Sequence, residues 1–506
     1  MIGPLPTALW VPPAIVLAGM VIALVADALG RRTAAVLVQS LALASAAVAG
    51  FVLAGRVDVA FVEGLAAYGA GFTSLPALGY AVSSLALLGG SGRMAARDRG
   101  PAMAVLVSLG AVFAHALLAS FDLVVLFVAL SGLAVVGYGL VAGAGTRSAE
   151  EASVRYFVQG AVATGLTLYG LGLVFALGGG STDYLTAAGG LSTAVGRPAL
   201  LALGLVLSAF AFKIGAFPFH SWVPDAYESG DASSVAFLTS VPKLAAVIAV
   251  LVLVRGTLFE AAVFAPATNL LVALGIGSLL FGAFGMLRQT SAARLLGYSG
   301  IAQVGYALLA IASGDGGVRA TVIFMVTYAL GAATAFLALE AVGRSMPGWD
   351  GSIDGLTGLS RRCPMGAASL AVAMLSLTGI PLFAGFWGKL HVFVSLLATE
   401  SLWVALLAAI AAVVSFGGYG RVIRAAYFGA EPDSLGDTDA GIVSEEPDAA
   451  DSGSEAGVPS AEVGEDRLPG TRRAVIAAAV GALAVIAFGV MPFVYGITAV
   501  YSLFNL

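Results

Sequence analysis

The sequence predicts an all-α polytopic membrane protein of about fourteen transmembrane helices, with two inverted five-helix repeats and with helices 7 and 12 broken. Three observations predict it. Mean hydropathy is +0.98. Of the 506 residues, 59% are hydrophobic and 10% charged, whereas a soluble domain carries about 25% charged residues. Apolar runs such as 201–212, 244–254 and 405–414 recur about every thirty residues, and roughly 20 apolar residues cross a ~30 Å hydrocarbon core. The runs do not alternate, which excludes an outer-membrane barrel. Finally, Pro and Gly interrupt the seventh and twelfth runs, five spans apart, and an odd offset inverts the second copy relative to the first.

The spans fall near 8–28, 34–54, 70–90, 101–119, 121–143, 154–177, 199–219, 233–254, 267–287, 295–313, 318–342, 365–395, 401–428 and 473–499. Residues 1–95 hold the first three. No basic region precedes the first apolar run, so that span is expected to stay attached. The first repeat occupies 101–254 and the second 267–428. An acidic loop at 429–472 and a last helix within 473–506 complete the chain. The 66 glycines suit close helix packing in lipid.

Charge orients the spans. Seventeen of the 21 arginines fall in alternate loops or span ends on one side; Arg56, Arg197, Arg255 and Arg319 fall on the other. The arginine-rich side is expected to be cytoplasmic, with both termini outside, in a cell plasma membrane. Asp225, Glu228 and Asp231 are an acidic exception on that side. Residues 431–466 carry twelve Asp or Glu and no Lys or Arg. That composition reads as a disordered, solvated cytoplasmic loop, or as a partner-binding tail. Outside it the chain has 24 basic against 17 acidic residues. The excess of Arg over Lys, 21 to 3, fits a halophile such as a haloarchaeon.

All three lysines, Lys213, Lys243 and Lys389, sit inside apolar segments. An ionisable group at membrane depth costs a few kcal/mol at least. Snorkelling from span ends is one explanation. The other is a proton relay, for which lysine suits because its proton affinity responds to burial and to neighbouring charge. His115, His220 and His391 also lie in or beside apolar spans. Neutral imidazole passes protons near pH 7, although a lone intramembrane histidine also serves as a packing residue. His220 follows Lys213 by seven residues, two helical turns, which puts both on one line. Lys389 and His391, two apart, do not share a face. Backbone breaks are expected at Pro218, Pro242, Gly379 and Pro381. Such interruptions are tolerated where they line a cavity or are buried in protein. The single Cys363 excludes an internal disulfide and a cysteine-ligated cluster. No phosphate-cradling glycine loop follows a strand, and no basic nucleic-acid patch appears.

The stretch 212–247, FKIGAFPFHSWVPDAYESGDASSVAFLTSVPKLAAV, resembles the antiporter-like membrane subunits of complex I and of the Mrp sodium/proton antiporters. Its SVPK variant is closer to subunit N than to subunits L or M. Four further stretches agree in order: EEASVRYFVQGAVATGLTLYG from Glu150, ARLLGYSGIAQVGYALLA from Ala293, LSLTGIPLFAGFWGKLHVF from Leu375 and GGYGRVIRAAYF from Gly417. The resemblance covers nearly all of the chain beyond about residue 100. It implies a fourteen-helix subunit without a redox centre or cofactor, in a complex with other complex I membrane subunits, antiporter-like neighbours and a quinone-site subunit. It implies that Lys213, Lys243 and Lys389 are channel lysines and His220 a relay, driven by electron transfer elsewhere in an NADH:quinone oxidoreductase-type translocase. The pattern departs at one point. Where the family carries a fifth-span glutamate, LFVALSGLAVVGYGLVA places Ser131, which cannot supply an acidic partner to Lys213. Gln303 stands where related subunits carry His, and glutamine does not titrate. An Mrp-type antiporter subunit and a structural subunit with a disabled channel are the alternatives.

Overall fold

The structure is a computed structural model that describes residues 7–54, 60–62, 66–68, 70–184, 186–187, 197–254, 264–314, 316–399, 401–429 and 470–495. The acidic loop at 431–466 and the last residues of the chain lie outside the described residues, as do Arg56 and Arg255.

In chain order the helices are α1 (Thr7–Ala28), α2 (Arg32–Ala54), α3 (Ala70–Ala96), α4 (Gly100–Leu118), α5 (Leu123–Ala142) and α6 (Arg147–Leu177). A two-stranded antiparallel hairpin, β1 (Ala60–Val62) and β2 (Ala66–Tyr68), lies between α2 and α3. Then come α7 (Arg197–Ile214), α8 (Trp222–Ser229), α9 (Ala232–Val252), α10 (Phe264–Met286), α11 (Ala292–Ala312) and α12 (Gly316–Ser345). The chain continues through α13 (Leu359–Arg362), α14 (Pro364–Thr378), α15 (Ala384–Ala398), α16 (Leu402–Phe428) and α17 (Thr471–Tyr495). Among the described residues, twelve helices are long and apolar enough to span: α1 to α6, α9 to α12, α16 and α17. Helices α7 and α8 form a broken seventh span, and α14 and α15 a broken twelfth, giving the expected fourteen. Each repeat thus holds three continuous helices, a broken one and a final continuous one.

Local sequence starts several helices. Asp122 accepts from the amides of Val124 (2.8 Å) and Val125 (3.0 Å) at the head of α5. Thr146 accepts from Ala149 at the head of α6 (3.1 Å), and Ser291 from Arg294 at the head of α11 (3.3 Å). These caps satisfy amides that no earlier carbonyl can reach.

The core runs through α12, whose whole apolar window is buried, and through α9 and α11, which are nearly as enclosed. Helix α12 packs on α9, α11, α14, α15 and α17. Helices α1, α5, α6 and α16 instead expose large apolar side chains such as Val21, Val128, Phe157 and Val413. A helix with its backbone bonds satisfied and an apolar outer face suits lipid.

Two sequence expectations are corrected. Pro242 lies inside α9 and does not break it. Its ring removes only the bond to the Leu238 carbonyl. The flanking turns persist because α9 is almost wholly enclosed by neighbouring helices. Lys213 and His220 also do not share one helix line, because α7 ends at Ile214 and Gly215, at φ +74°, turns the chain away. The breaks at Pro218, Gly379 and Pro381 are where the sequence puts them.

Candidate functional site

Lys213 occupies the last turn of α7, which packs on α6. Its Nζ donates to Thr164 Oγ1 of α6 at 3.2 Å. The Thr164 hydroxyl in turn donates to the Gly160 carbonyl at 2.8 Å, so its lone pair faces the lysine. Ser131, half-buried on α5, is not the group that meets Lys213. Beyond Gly215 the freed Phe212 carbonyl accepts from the Gly215 amide and from Trp222 Nε1, both at 3.0 Å. The Phe217 amide donates to Ser278 Oγ at 2.9 Å, and the Phe217–Pro218 peptide is cis. His220 sits in this break, half-buried, with its ring 5.6 Å from Phe217 and 4.2 Å from Phe281. Its Nδ1 has no hydrogen-bond partner among the described residues.

Lys243 is the central lysine. It lies mid-way along α9, 2% exposed, with Nζ 5.2 Å from the centroid of the Tyr227 ring on α8. Nζ has no hydrogen-bond partner among the described residues. Gly300 of α11 makes room for it, since a Cβ there would stand 2.7 Å from Nζ. Tyr328 of α12 hydrogen-bonds Thr239 of α9 at 3.0 Å. The Tyr227 hydroxyl lies beside Thr239, and no group among the described residues meets it in full hydrogen-bond geometry.

Lys389 lies in the second turn of α15, 5% exposed. Its Nζ donates to the Thr378 carbonyl at 2.9 Å and stands 4.9 Å from the Tyr306 ring centroid. Thr378 ends α14, so the break itself frees the carbonyl, and the helix C-terminus carries partial negative charge. Gly379 has φ +92°, and a Cβ there would come within 2.9 Å of Lys389 Cδ. Pro381 and Leu382 complete the break, and Leu382 holds a left-handed φ of 79°, a conformation that costs a non-glycine residue about 1–2 kcal/mol. Gln303 of α11 donates to the Leu377 carbonyl (3.0 Å) and to the Tyr419 hydroxyl (3.2 Å), which hydrogen-bonds Ser299 at 2.6 Å.

None of the ion pairs among the described residues involves a lysine. Hydroxyl, carbonyl and aromatic faces hold them instead. Of the other histidines, His115 is a buried packing residue bonded to the Tyr80 hydroxyl (3.0 Å), and His391 Nδ1 donates to the Trp387 carbonyl (2.7 Å).

The acidic exception is resolved by arginines of the same face. Asp225 accepts from Arg155 (3.3 Å) and Arg294 (2.8 Å), and Glu228 from Arg294 (2.9 Å). Asp231 accepts from Arg93 (3.2 Å) and Arg97 (2.6 Å). Glu340 of α12, fully buried, accepts from Arg93 (3.2 Å) and Arg344 (2.9 Å). Sequence reading missed Thr164, Tyr227 and Glu340. The signal for Glu340 was a lone acid in an otherwise apolar span.

The fold and the buried lysines define an antiporter-like membrane subunit built on inverted repeats with paired broken helices. The chain belongs to the family described as NADH:quinone oxidoreductase/Mrp antiporter, TM, whose model matches residues 120–415. NADH-quinone oxidoreductase subunit N 1 of Rhizobium meliloti is 36% identical over 378 residues, covering 72% of this chain and 77% of the relative. NADH-quinone oxidoreductase subunit N of Rhodospirillum rubrum is 36% identical over 294 residues. That match covers 55% of this chain and 57% of the relative, so it spans little more than half the relative's length. In a structure of respiratory complex I from Thermus thermophilus with bound Aureothin, one chain superposes with a TM-score of 0.72 at 27% identity, covering 95% of this chain and 97% of that one.

Proposed function

We propose that this chain is a subunit N-type, proton-translocating membrane subunit of a complex I-like, NADH:quinone oxidoreductase-type translocase. Protons move along Lys213, Lys243 and Lys389, with His220 in the seventh-span break, while electrons pass through other subunits. The observation that carries this is the placement of the three lysines, two at helix breaks and one in the core, none held by a carboxylate. A structural lysine at this depth needs a counter-charge to offset its burial. One held only by a hydroxyl, a carbonyl or a ring face is free to lose and regain its proton.

The chain itself carries no redox cofactor. Its partners are the neighbouring membrane subunits, antiporter-like and quinone-binding, and lipid. The arginine-rich face is cytoplasmic, both termini are outside, and the membrane is the plasma membrane; the positive-inside rule supports this. The arginine excess supports a halophilic source. Thr164 in contact with Lys213 supports a working first channel despite Ser131. The family description also names Mrp antiporters, which keeps a second reading: a sodium/proton exchange subunit without redox partners.

The test is to purify the membrane complex through this chain and reconstitute it in liposomes. Quinone reduction coupled to proton uptake is expected. Sodium/proton exchange in a preparation that lacks redox subunits and electron donor would overturn the complex I reading in favour of the second.

A further inference from the structure

Among the described residues, seven buried side-chain polar atoms lack a hydrogen-bond partner, and five of them lie on three helices, α8, α9 and α12: Glu340 Oε2, Ser233 Oγ, Ser234 Oγ, Tyr227 OH and Lys243 Nζ. Buried polar groups are normally satisfied, by protein or by ordered water, and each unsatisfied one calls for an explanation.

Their order is informative. Arg93 and Arg97, about a third exposed at the arginine-rich face, reach Asp231 at the head of α9. Arg93 also reaches Glu340, whose side chain is 0% exposed. Ser233 and Ser234 follow Asp231 in the first turn of α9. Ser233 packs against Gly90, one turn before Arg93 on α3. Phe336, one turn from Glu340 on α12, meets the Tyr227 ring edge-on at 5.6 Å. Tyr227 lies against Lys243. Arg93 thus joins Asp231 at the head of α9 to Glu340 on α12, and Tyr227 joins Phe336 on α12 to Lys243 on α9.

We infer that Glu340 is the proton-loading group for Lys243, passing protons from the arginine-rich face through Ser233, Ser234 and the Tyr227 hydroxyl. The inference rests on the proton-translocation reading above. Glu340 Oε1 is committed to Arg93 and Arg344, which fix the carboxyl; Oε2 is free to take the proton. One proton arrives at Oε2 from water at the face. As it leaves, Ser233 and Ser234 hand a proton on to the Tyr227 hydroxyl, which gives its own to neutral Lys243 Nζ; Glu340, the serines and Tyr227 return to their starting states and Lys243 ends protonated. The charged groups that bear on Glu340 are Arg93 from α3, Arg344 from its own helix and, through Arg93, Asp231 and Arg97.

A purely structural staple of α3 to α12 is the competing role, and a rescue variant separates the two. Glu340→Gln keeps an acceptor for the arginines but cannot titrate. Glu340→Gln/Arg344→Gln restores charge balance without restoring titration. Each is compared with Lys243→Ala in the intact reconstituted complex by protons moved per electron. Both Glu340 variants are expected to lose as much pumping as Lys243→Ala. Tyr227→Phe, which keeps the packed ring, should do the same, and it covers the case in which the Glu340 variants fail to assemble. Recovery of pumping in the double variant, or normal pumping in Tyr227→Phe, overturns the inference while the translocation reading stands. Normal pumping in Lys243→Ala overturns the translocation reading and the inference with it.

Discussion

At the scale of single residues, the lysines are held weakly by design of their surroundings. Lys213 has a hydroxyl, Lys389 a carbonyl released by a helix end, and Lys243 a ring face. Thr164→Val keeps shape but removes the acceptor, so it is expected to lower proton translocation while leaving assembly intact; flux in liposomes checks this. Gly379→Ala forces a Cβ into a left-handed conformation and against Lys389. It is expected to cost about 1–2 kcal/mol, visible as earlier thermal dissociation of the complex, and to lower pumping as well. The lysines and His220 were legible in the sequence because charged residues are rare in apolar runs. Thr164, Tyr227 and Ser233 were not. A hydroxyl inside a spanning helix has the same sequence appearance whether it faces lipid, a neighbour or a lysine, and its partner sits on another span.

At the scale of elements, the breaks organise the site. A span ended by glycine leaves carbonyls without amides, and those carbonyls are re-used: Phe212 by Trp222, Leu377 by Gln303, Thr378 by Lys389. Trp222→Phe removes one such bond and should destabilise the α7–α8 junction by about 0.5–1.5 kcal/mol. Faster hydrogen exchange confined to residues near that junction is the expected signature. Gly379 with Pro381 was a readable break because both residues oppose helix. Pro242 was misread for the same reason: a single proline removes one bond, and a helix enclosed by α3, α4, α7 and α12 tolerates that loss. The Lys213–His220 alignment failed because Gly215 ends the helix between them, and periodicity counts residues without seeing the turn.

At the scale of the whole molecule, hydropathy gave the number of spans, since each must cross the same thickness of lipid. It did not give which helix is central. Helix α12 is as apolar as its neighbours, and only packing reveals that it is the buried axis that carries Glu340. The arginine-rich face was legible from alternating loops. The acidic exception within it became intelligible only when Asp225, Glu228 and Asp231 met Arg294, Arg155, Arg93 and Arg97. Sidedness has its own test. Cys363 is buried, so a thiol introduced by Ala450→Cys is the one expected to react with a membrane-impermeant reagent, in inside-out vesicles and not in right-side-out ones. The opposite pattern would reverse the assigned topology.

The central claim is that protons cross this subunit on its three lysines. The most direct measurement is protons moved per electron by the reconstituted complex carrying Lys213→Ala, Lys243→Ala or Lys389→Ala, each checked for full assembly. The account requires a lowered ratio in every variant with quinone reduction still present. An unchanged ratio in all three fully assembled variants would contradict it.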